Sequence, residues 1–268
     1  MKKMSWIQTA RLLAGAALIT LGGSALAAST WNFGTCQSTT GVQNATNSGT
    51  FGNSWSCSGS VGTNKVTASA WGGADATGST GFQTAYLSPQ GGGSGFGLAS
   101  RYETISVTQP NHAVDNSPLN ATPDLVLLKF DTAVALGSVN IGYAGGSPAD
   151  ADFTLMAYNG GAAPTISGKT ATNLNTGWAL VENSSGSTIG VRAVNAGNVV
   201  SSWWLISAYS SSYGGGSLDA VNDYFKLLDV SSKDTAPPGS KVPEPGSLAL
   251  LGVGLLGLMG VRRTVKAA

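Results

Sequence analysis

The sequence predicts an all-β protein: a two-layer antiparallel β-sandwich, jelly-roll-like, between an N-terminal signal helix and a C-terminal apolar helix. Two observations predict this class. Short runs rich in β-branched and aromatic residues recur between turns that contain Gly, Pro, Asn and Asp, which is typical of antiparallel strands. Outside the two ends, no window of about 11–18 residues carries apolar residues at helical spacing. The single predicted core spans residues 61–230.

Residues 1–27 have the three parts of a secretory signal peptide. Lys2, Lys3 and Arg11 make a basic region, residues 12–21 are apolar, and Ala25-Leu26-Ala27 has the small residues of a cleavage site. We therefore expect export through the Sec translocon and cleavage after Ala27. An uncleaved N-terminal anchor is the alternative.

Residues 28–60 are rich in Gly, Ser, Thr and Asn and poor in aliphatic side chains, which predicts an irregular segment or edge strands. This segment contains the two cysteines of the chain, Cys36 and Cys57. Because the exported part enters an oxidising compartment, we expect a disulfide between them. It would close a loop of about 22 residues and stabilise the fold by about 3 kcal/mol in the chain-entropy treatment. A reactive thiol or metal pair is the alternative.

The sandwich region contains nine predicted strands. The run Leu125 to Phe130 is almost continuously apolar, which indicates a central strand covered on both faces. The other predicted strands are residues 65–71, 103–108, 138–143, 153–158, 178–182, 188–194, 203–209 and 224–230. Residues 231–242, with Pro237-Pro238-Gly239, are a predicted linker.

Residues 243–268 have three parts in a fixed order: Pro243-Glu244-Pro245, an apolar run from Leu248 to Val261, and a basic end with Arg262 and Arg263. At about 1.5 Å per residue the apolar run is about 21 Å long as a helix, shorter than the roughly 30 Å hydrocarbon core of a bilayer. The basic end favours the cytoplasmic side of the inner membrane. A permanent C-terminal anchor is the alternative to temporary insertion.

This layout resembles the PEP-CTERM protein-sorting signal of Gram-negative bacteria. The residues that carry the resemblance are Pro243, Glu244 and Pro245, the apolar run, and Arg262 and Arg263. In that family an integral-membrane exosortase removes the tail and passes the protein towards the cell surface or extracellular matrix. The resemblance implies an exosortase as processing partner and temporary insertion in the inner membrane.

A second resemblance covers residues 71–230 and concerns a group of exosortase-dependent surface proteins. It is carried by a succession of short segments: residues 99–101, Asn111-His112-Ala113-Val114-Asp115-Asn116, and residues 124–130, 139–143, 150–158, 177–178, 203–209 and 224–228. What it implies is location at the cell surface. It implies no established activity.

The charge balance argues against a nucleic-acid partner. From residue 28 to residue 241 there are eight Lys and Arg against twelve Asp and Glu, a formal net charge of −4. Nucleic-acid binding needs a basic face. The low charge and many small polar residues are common in matrix and adhesive proteins.

The sequence offers little for catalysis, and we expect no enzyme activity. His112 is the single histidine, and no G-x-S-x-G motif occurs. No organic cofactor is expected, and zinc lacks His and Cys ligands. Calcium needs oxygen ligands alone, and Asp150 and Asp152 have the i, i+2 spacing that places both carboxylates on one side of a strand. Loops carrying Asp115, Asn116 and Asp124 are candidates to join this calcium site.

The predicted role is structural or adhesive, within a biofilm or exopolysaccharide layer. A secreted carbohydrate-binding module is the first alternative, with four tryptophans as candidates for stacking on sugars: Trp71, Trp178, Trp203 and Trp204. In Trp203-Trp204 the two rings should point to opposite faces of a strand, one of them into the core. A secreted hydrolase is the second alternative.

Overall fold

The computed structural model describes residues 27–39, 51–75, 77–103, 113–116, 122–174, 176–219 and 222–234. Residues 1–26 of the predicted signal peptide, residues 235–242 of the predicted linker and the whole C-terminal tail lie outside these residues, so both predicted terminal helices stay predictions. Within the described part of the chain, no helix is both long enough and apolar enough to cross a membrane.

The described residues form sixteen strands and three short 3-10 turns. The turns are Phe33–Thr35, Ala171–Asn173 and Ser211–Tyr213. In chain order the strands are β1 (Thr30–Asn32), β2 (Gln37–Ser38), β3 (Ser54–Ser58), β4 (Lys65–Gly72), β5 (Gln83–Thr84), β6 (Tyr86–Gln90), β7 (Gly95–Ala99), β8 (Val114–Asp115), β9 (Leu125–Val134), β10 (Leu136–Gly146), β11 (Ala149–Asp150), β12 (Phe153–Tyr158), β13 (Trp178–Ser184), β14 (Gly190–Ala193), β15 (Ser201–Ala208) and β16 (Tyr224–Ser232).

These strands build two antiparallel sheets, as the sequence predicts for a sandwich. The first sheet has the order β11-β10-β16-β7-β6, with β1 and β8 also paired to β16 and β14 paired to β10. The second has the order β13-β12-β15-β9-β4-β3-β2, with β5 paired to β4. The jelly-roll-like connectivity stays a prediction.

The main core fills the space between the sheets. Its largest fully buried side chains include Trp31, Phe96, Phe130, Trp204 and Phe225. Because side chains alternate along a strand, β4 sends Val66, Ala68 and Ala70 into this layer, and β9 sends Val126, Leu128 and Phe130. Apolar burial of this extent is the main term that stabilises the fold.

A second, smaller core covers the outer face of the second sheet and explains the continuous apolar run of β9. Val126 and Leu128 point into the main core, whereas Leu125 and Leu127 belong to the outer cluster. The outer cluster also takes side chains from loops and 3-10 turns: Phe82, Ile166, Ala171, Leu174 and Tyr213. β9 is therefore a central strand covered on both faces, as the sequence predicts.

Residues 28–60 pack into the sandwich. β1 pairs with β16 in the first sheet, and β3 pairs with β4 in the second. Trp31, Phe33 and Trp55 are buried in the main core. Contacts group residues 27–235 into one compact unit. Cys36 and Cys57 form a disulfide, with their Cα atoms 4.3 Å apart.

β6 and β7 have no counterpart among the predicted strands. β6 contains Pro89, and β7 contains Gly95 and Gly97, residues that normally weaken a strand. Gly95 is required because a Cβ there would overlap the backbone of Leu227 on β16. Of the predicted strand at residues 103–108, Glu103 lies in a bend and the rest lies outside the described residues.

Candidate functional site

Three aspartates stand directly before strands and meet at one end of the sandwich. Asp124 precedes β9, Asp152 precedes β12 and Asp223 precedes β16. β9 and β12 both run antiparallel to β15, so both begin at the same end of the second sheet. The main-chain oxygens of Asp124 and Asp152 accept hydrogen bonds from the successive amides of Ala208 (3.1 Å) and Tyr209 (3.1 Å) as β15 ends.

The first sheet contributes to the same end through Asp223. The Asp152 amide donates a hydrogen bond to Asp223 Oδ1 at 3.0 Å. Carboxylate oxygens of Asp150, Asp152 and Asp223 all lie within 4.8 Å of one another. We call these three residues the Asp152 cluster. The structure therefore brings together the predicted pair Asp150 and Asp152, and it adds Asp223.

Hydrogen bonds hold the carboxylates of the Asp152 cluster in place. Asp152 Oδ1 accepts from the Gly186 amide at 2.7 Å, and Asp150 Oδ1 accepts from the following amide, that of Ala151, at 2.8 Å. The donors are peptide groups of loops beside the strand ends. The carboxylates are thus positioned without using every acceptor site, since an ionised carboxylate has about four.

One basic side chain, Arg192 of β14, stands beside this cluster. Its guanidinium donates to the main-chain oxygens of Ala151 (2.6 Å) and Gly186 (2.9 Å) and lies over the Phe153 ring at 5.5 Å. Its hydrogen bonds therefore go to carbonyl groups, and its positive charge acts on the carboxylates of the cluster without a direct bond. Burial lowers the pKa of Arg192, and attraction to Asp152 opposes that change.

Burial and mutual repulsion raise the pKa values of this cluster. The pKa of Asp223 rises to about 8, first because the group is desolvated and then because Asp150 and Asp152 repel its charge. Burial also raises the pKa of Asp152. Three carboxylates in this arrangement need protons or a cation, and oxygen ligands at this spacing suit Ca²⁺.

A second cluster lies at the same end of the sandwich. Carboxylate oxygens of Glu103, Asp115 and Asp124 also lie within 4.8 Å of one another. We call these three residues the Asp124 cluster. Asp115 and Asp124, the candidates to join Asp150 and Asp152, lie in this separate group instead, where the Asp124 amide donates to the main-chain oxygen of Asp115 at 2.8 Å. Glu103 is a member that the sequence did not indicate.

Asn116 does join the predicted site, although as a hydrogen-bonding partner of a carboxylate. Its side-chain amide donates to Asp223 Oδ2 and also to the main-chain oxygen of Tyr209, at 3.1 Å. No local signal identifies Asp223, since it is 71 residues beyond Asp152 in the sequence. Its position directly before a predicted strand, shared with Asp124 and Asp152, is the one pattern that groups the three.

The four candidate tryptophans have different surroundings. Trp204 is fully buried and its indole N–H donates to the Ser201 main chain at 3.0 Å, and Trp178 is buried against Tyr158. Trp71 and Trp203 are half-buried, and the Lys129 amine lies 5.4 Å from the centre of the Trp203 ring. The predicted opposition of Trp203 and Trp204 is confirmed, since they pack in different cores.

Other predicted residues lie outside the described part of the chain. These are His112 and the sorting residues Pro243, Glu244, Pro245, Arg262 and Arg263.

Comparison with known proteins identifies the C-terminal tail. No curated protein matches the chain. The family model of the PEP-CTERM protein-sorting motif matches residues 241–263, which include the Pro-Glu-Pro tripeptide, the apolar run and both arginines. This match supports exosortase-dependent sorting of an exported protein. The chain therefore carries a PEP-CTERM protein-sorting signal at its C-terminal end.

Proposed function

We propose that this chain is a structural or adhesive protein of the cell surface or extracellular matrix, within a biofilm or exopolysaccharide layer. The sorting motif at residues 241–263 is the observation that carries the proposal. The signal peptide directs the chain to the Sec translocon, and the C-terminal apolar run holds it temporarily in the inner membrane. An exosortase then removes the tail.

The composition and cross-linking of the sandwich support this role. The Cys36–Cys57 disulfide suits an oxidising compartment outside the cytoplasm. Four aliphatic side chains are exposed on β14 and in the loops that precede and follow it: Ile189, Val191, Val199 and Val200. They are available for the contacts with other macromolecules that an adhesive role requires.

Calcium at the Asp152 cluster is part of the proposal. Three converging carboxylates at a sheet end provide hard oxygen ligands, and Arg192 keeps their net charge low. Extracellular calcium modules bind with dissociation constants of roughly 10⁻⁴–10⁻³ M, which matches a partly neutralised site of this kind. The bound ion would stabilise the end of the sandwich and would perform no chemistry.

A carbohydrate-binding module is the second candidate function. Trp71 and Trp203 are the two predicted aromatic residues that keep part of their surface exposed. Stacking on a sugar would require the Lys129 amine to leave the face of Trp203. Binding to a glycan array that is lost in Trp71→Ala and Trp203→Ala would favour this candidate, whereas no binding above background would leave the structural role.

The processing step tests the main proposal. The intact mass of the protein released from cells that possess an exosortase should correspond to a chain ending near residue 243. Glu244→Ala, or deletion of the exosortase, should leave a longer, membrane-bound form, because Glu244 supplies the one charge of the Pro-Glu-Pro tripeptide that we expect the enzyme to recognise. Ser240→Ala, just outside the matched residues, is the control and should be processed normally. A released protein that still contains residues 246–268 would show that the tail is a permanent anchor.

A further inference from the structure

Asp124 is a fully buried carboxylate whose side chain has no hydrogen-bond partner among the described residues. Its exposed fraction is 0%, and no hydrogen-bond donor in the described part of the chain reaches either of its carboxylate oxygens. Its main chain is hydrogen-bonded: its amide donates to the main-chain oxygen of Asp115 at 2.8 Å, and its own main-chain oxygen accepts from the Ser207 hydroxyl at 2.8 Å. A buried ionised group without partners is costly, so the side chain requires a ligand or a proton.

Gly72 makes room for the Asp124 carboxylate. Gly72, the last residue of β4, faces Asp124, and a Cβ at this position would overlap Asp124 Oδ1 and lie 2.8 Å from the Cβ of Ser100. The absence of a side chain at Gly72 therefore allows the Asp124 carboxylate to lie within this packed interior. Glu103 is held on its side by the Ser100 amide, which donates to Glu103 Oε2 at 2.6 Å.

The charges that act on Asp124 are negative. Burial raises its pKa well above the ordinary range, and the charges of Asp115 and Glu103 raise it further. The pKa of Glu103 rises to about 8 for the same two reasons, burial first and Asp115 second. The phenol of Tyr224, beside Asp115 in the β8–β16 pair, has its pKa raised by burial and by these carboxylates, so it stays neutral.

We infer that the Asp124 cluster is a second divalent-cation site, suited to calcium, with Glu103, Asp115 and Asp124 as its ligands. Two oxygens bound to one Ca²⁺ at about 2.3–2.6 Å are at most about 5 Å apart, and the three carboxylate oxygens lie within 4.8 Å of one another. Magnesium, at about 2.0–2.1 Å, needs a tighter and octahedral set of ligands.

The position of these ligands defines what the ion does. Glu103 follows β7 and Asp115 ends β8, and both strands belong to the first sheet, whereas Asp124 directly precedes β9 of the second. One ion bound by the three carboxylates would join the two sheets at the end of the sandwich that carries the Asp124 and Asp152 clusters, which we call the acidic end. In the calcium-containing environment outside the cell, the bound ion would therefore cross-link the two sheets and stabilise the sandwich.

Calcium counting on the full chain tests the inference. The purified protein, in detergent and stripped with chelator, is titrated with CaCl₂ by isothermal titration calorimetry, and its melting temperature is followed in parallel. We expect Asp124→Asn to bind one calcium fewer than the wild type and to lose part of the calcium-induced rise in melting temperature. Asp131→Asn, an exposed aspartate of β9, is the matched control and should bind as the wild type does.

Separate variants keep this site distinct from the Asp152 cluster. Asp152→Asn should remove one equivalent and leave the equivalent bound at Asp124, so the failure of either site is visible by itself. Glu103→Gln, at a half-buried position, gives a second test if Asp124→Asn does not fold. An unchanged calcium count in Asp124→Asn and Glu103→Gln would overturn the inference. A second result would also overturn it: without calcium, Asp124→Asn melts at a higher temperature than the wild type, and calcium changes the melting temperature of neither protein. That result would show that the three carboxyl groups share protons and bind no calcium.

Discussion

Asn116 and Asp223 bind each other through three hydrogen bonds. The main-chain amide of Asp223 donates to Asn116 Oδ1 at 3.0 Å, and the main-chain amide of Asn116 donates to the main-chain oxygen of Asp223 at 3.4 Å. The side-chain amide of Asn116 also donates to Asp223 Oδ2. Their neighbours Asp115 and Tyr224 are paired in β8 and β16. Because Asp115 belongs to the Asp124 cluster and Asp223 to the Asp152 cluster, this pair connects the two acidic clusters.

Replacement of Asn116 should therefore destabilise the protein. Asn116→Ala leaves the buried Asp223 carboxylate without its side-chain donor, which costs about 1–3 kcal/mol. Asn116→Asp should cost more without calcium, because it adds a like charge to the Asp152 cluster, and part of this loss should return with calcium. Urea unfolding of both variants, with chelator and with CaCl₂, measures the effect. Equal stabilities of the two variants under both conditions would contradict the proposed role of charge.

Removal of calcium should lower the melting temperature by a few degrees, because the carboxylates at the acidic end then repel one another. Asp152→Asn should reduce the difference between chelated and calcium-loaded protein, and Asp131→Asn should leave it unchanged. Differential scanning calorimetry with EDTA and with CaCl₂ gives the measurement. Identical melting curves under the two conditions would remove the proposal of calcium at Asp150, Asp152 and Asp223.

The disulfide should contribute about 3 kcal/mol, because it closes a loop of about 22 residues in the unfolded chain. Non-reducing mass spectrometry of the exported protein should show one bridge between Cys36 and Cys57 and no free thiol. The double variant with alanine at both positions should lower the free energy of unfolding by about that amount. Labelling of either cysteine by a thiol reagent before reduction would count against the bridge.

Without calcium, the stability of the protein should fall as pH rises from about 4.5 to about 8. The pKa of Glu103 and that of Asp223 are each about 8 in the folded state, against 4.5 and 3.8 for the free groups, so the folded state binds more protons in this window. A difference of one in pKa between the folded and the unfolded state changes the free energy of unfolding by about 1.4 kcal/mol, or the melting temperature by about 3–5 °C. The charged groups that act on these two carboxyls are Asp115, Asp124, Asp150, Asp152, Arg192 and Asp219.

Melting in chelator at pH 5 and at pH 8 measures this dependence. Glu103→Gln should make it smaller, and Asp131→Asn should leave it as in the wild type. Calcium should reduce or reverse the fall, since its ligands must be deprotonated to bind it. A melting temperature that rises between pH 5 and pH 8 in chelator would contradict the raised pKa values.

The elements that could be predicted from the sequence depend on local patterns. The strand Phe153–Tyr158 has the bounds that the sequence predicts, and the central position of β9 follows from its continuous apolar run. The sorting motif is a linear signal of a few residues followed by an apolar run and arginines, so it needs no tertiary structure for its recognition. Cys36 and Cys57 are the one possible cysteine pair, which leaves the disulfide no alternative partner within the chain.

Other features depend on contacts that no local pattern contains. β7 forms because Gly95 allows the backbone of β16 to approach, whereas strand propensity at that position argues against a strand. The outer core exists because loops and 3-10 turns fold back over Leu125 and Leu127.

The acidic end is the clearest case of a feature that the sequence alone could not decide. Asp124, Asp152 and Asp223 each precede a strand, which the sequence shows. That they meet follows from the antiparallel order β12-β15-β9, which starts two of these strands at one edge, and from the packing of β16 against them in the other sheet. The order of strands is set by burial of side chains far apart in the chain, so the composition of each cluster was decided only by the tertiary structure.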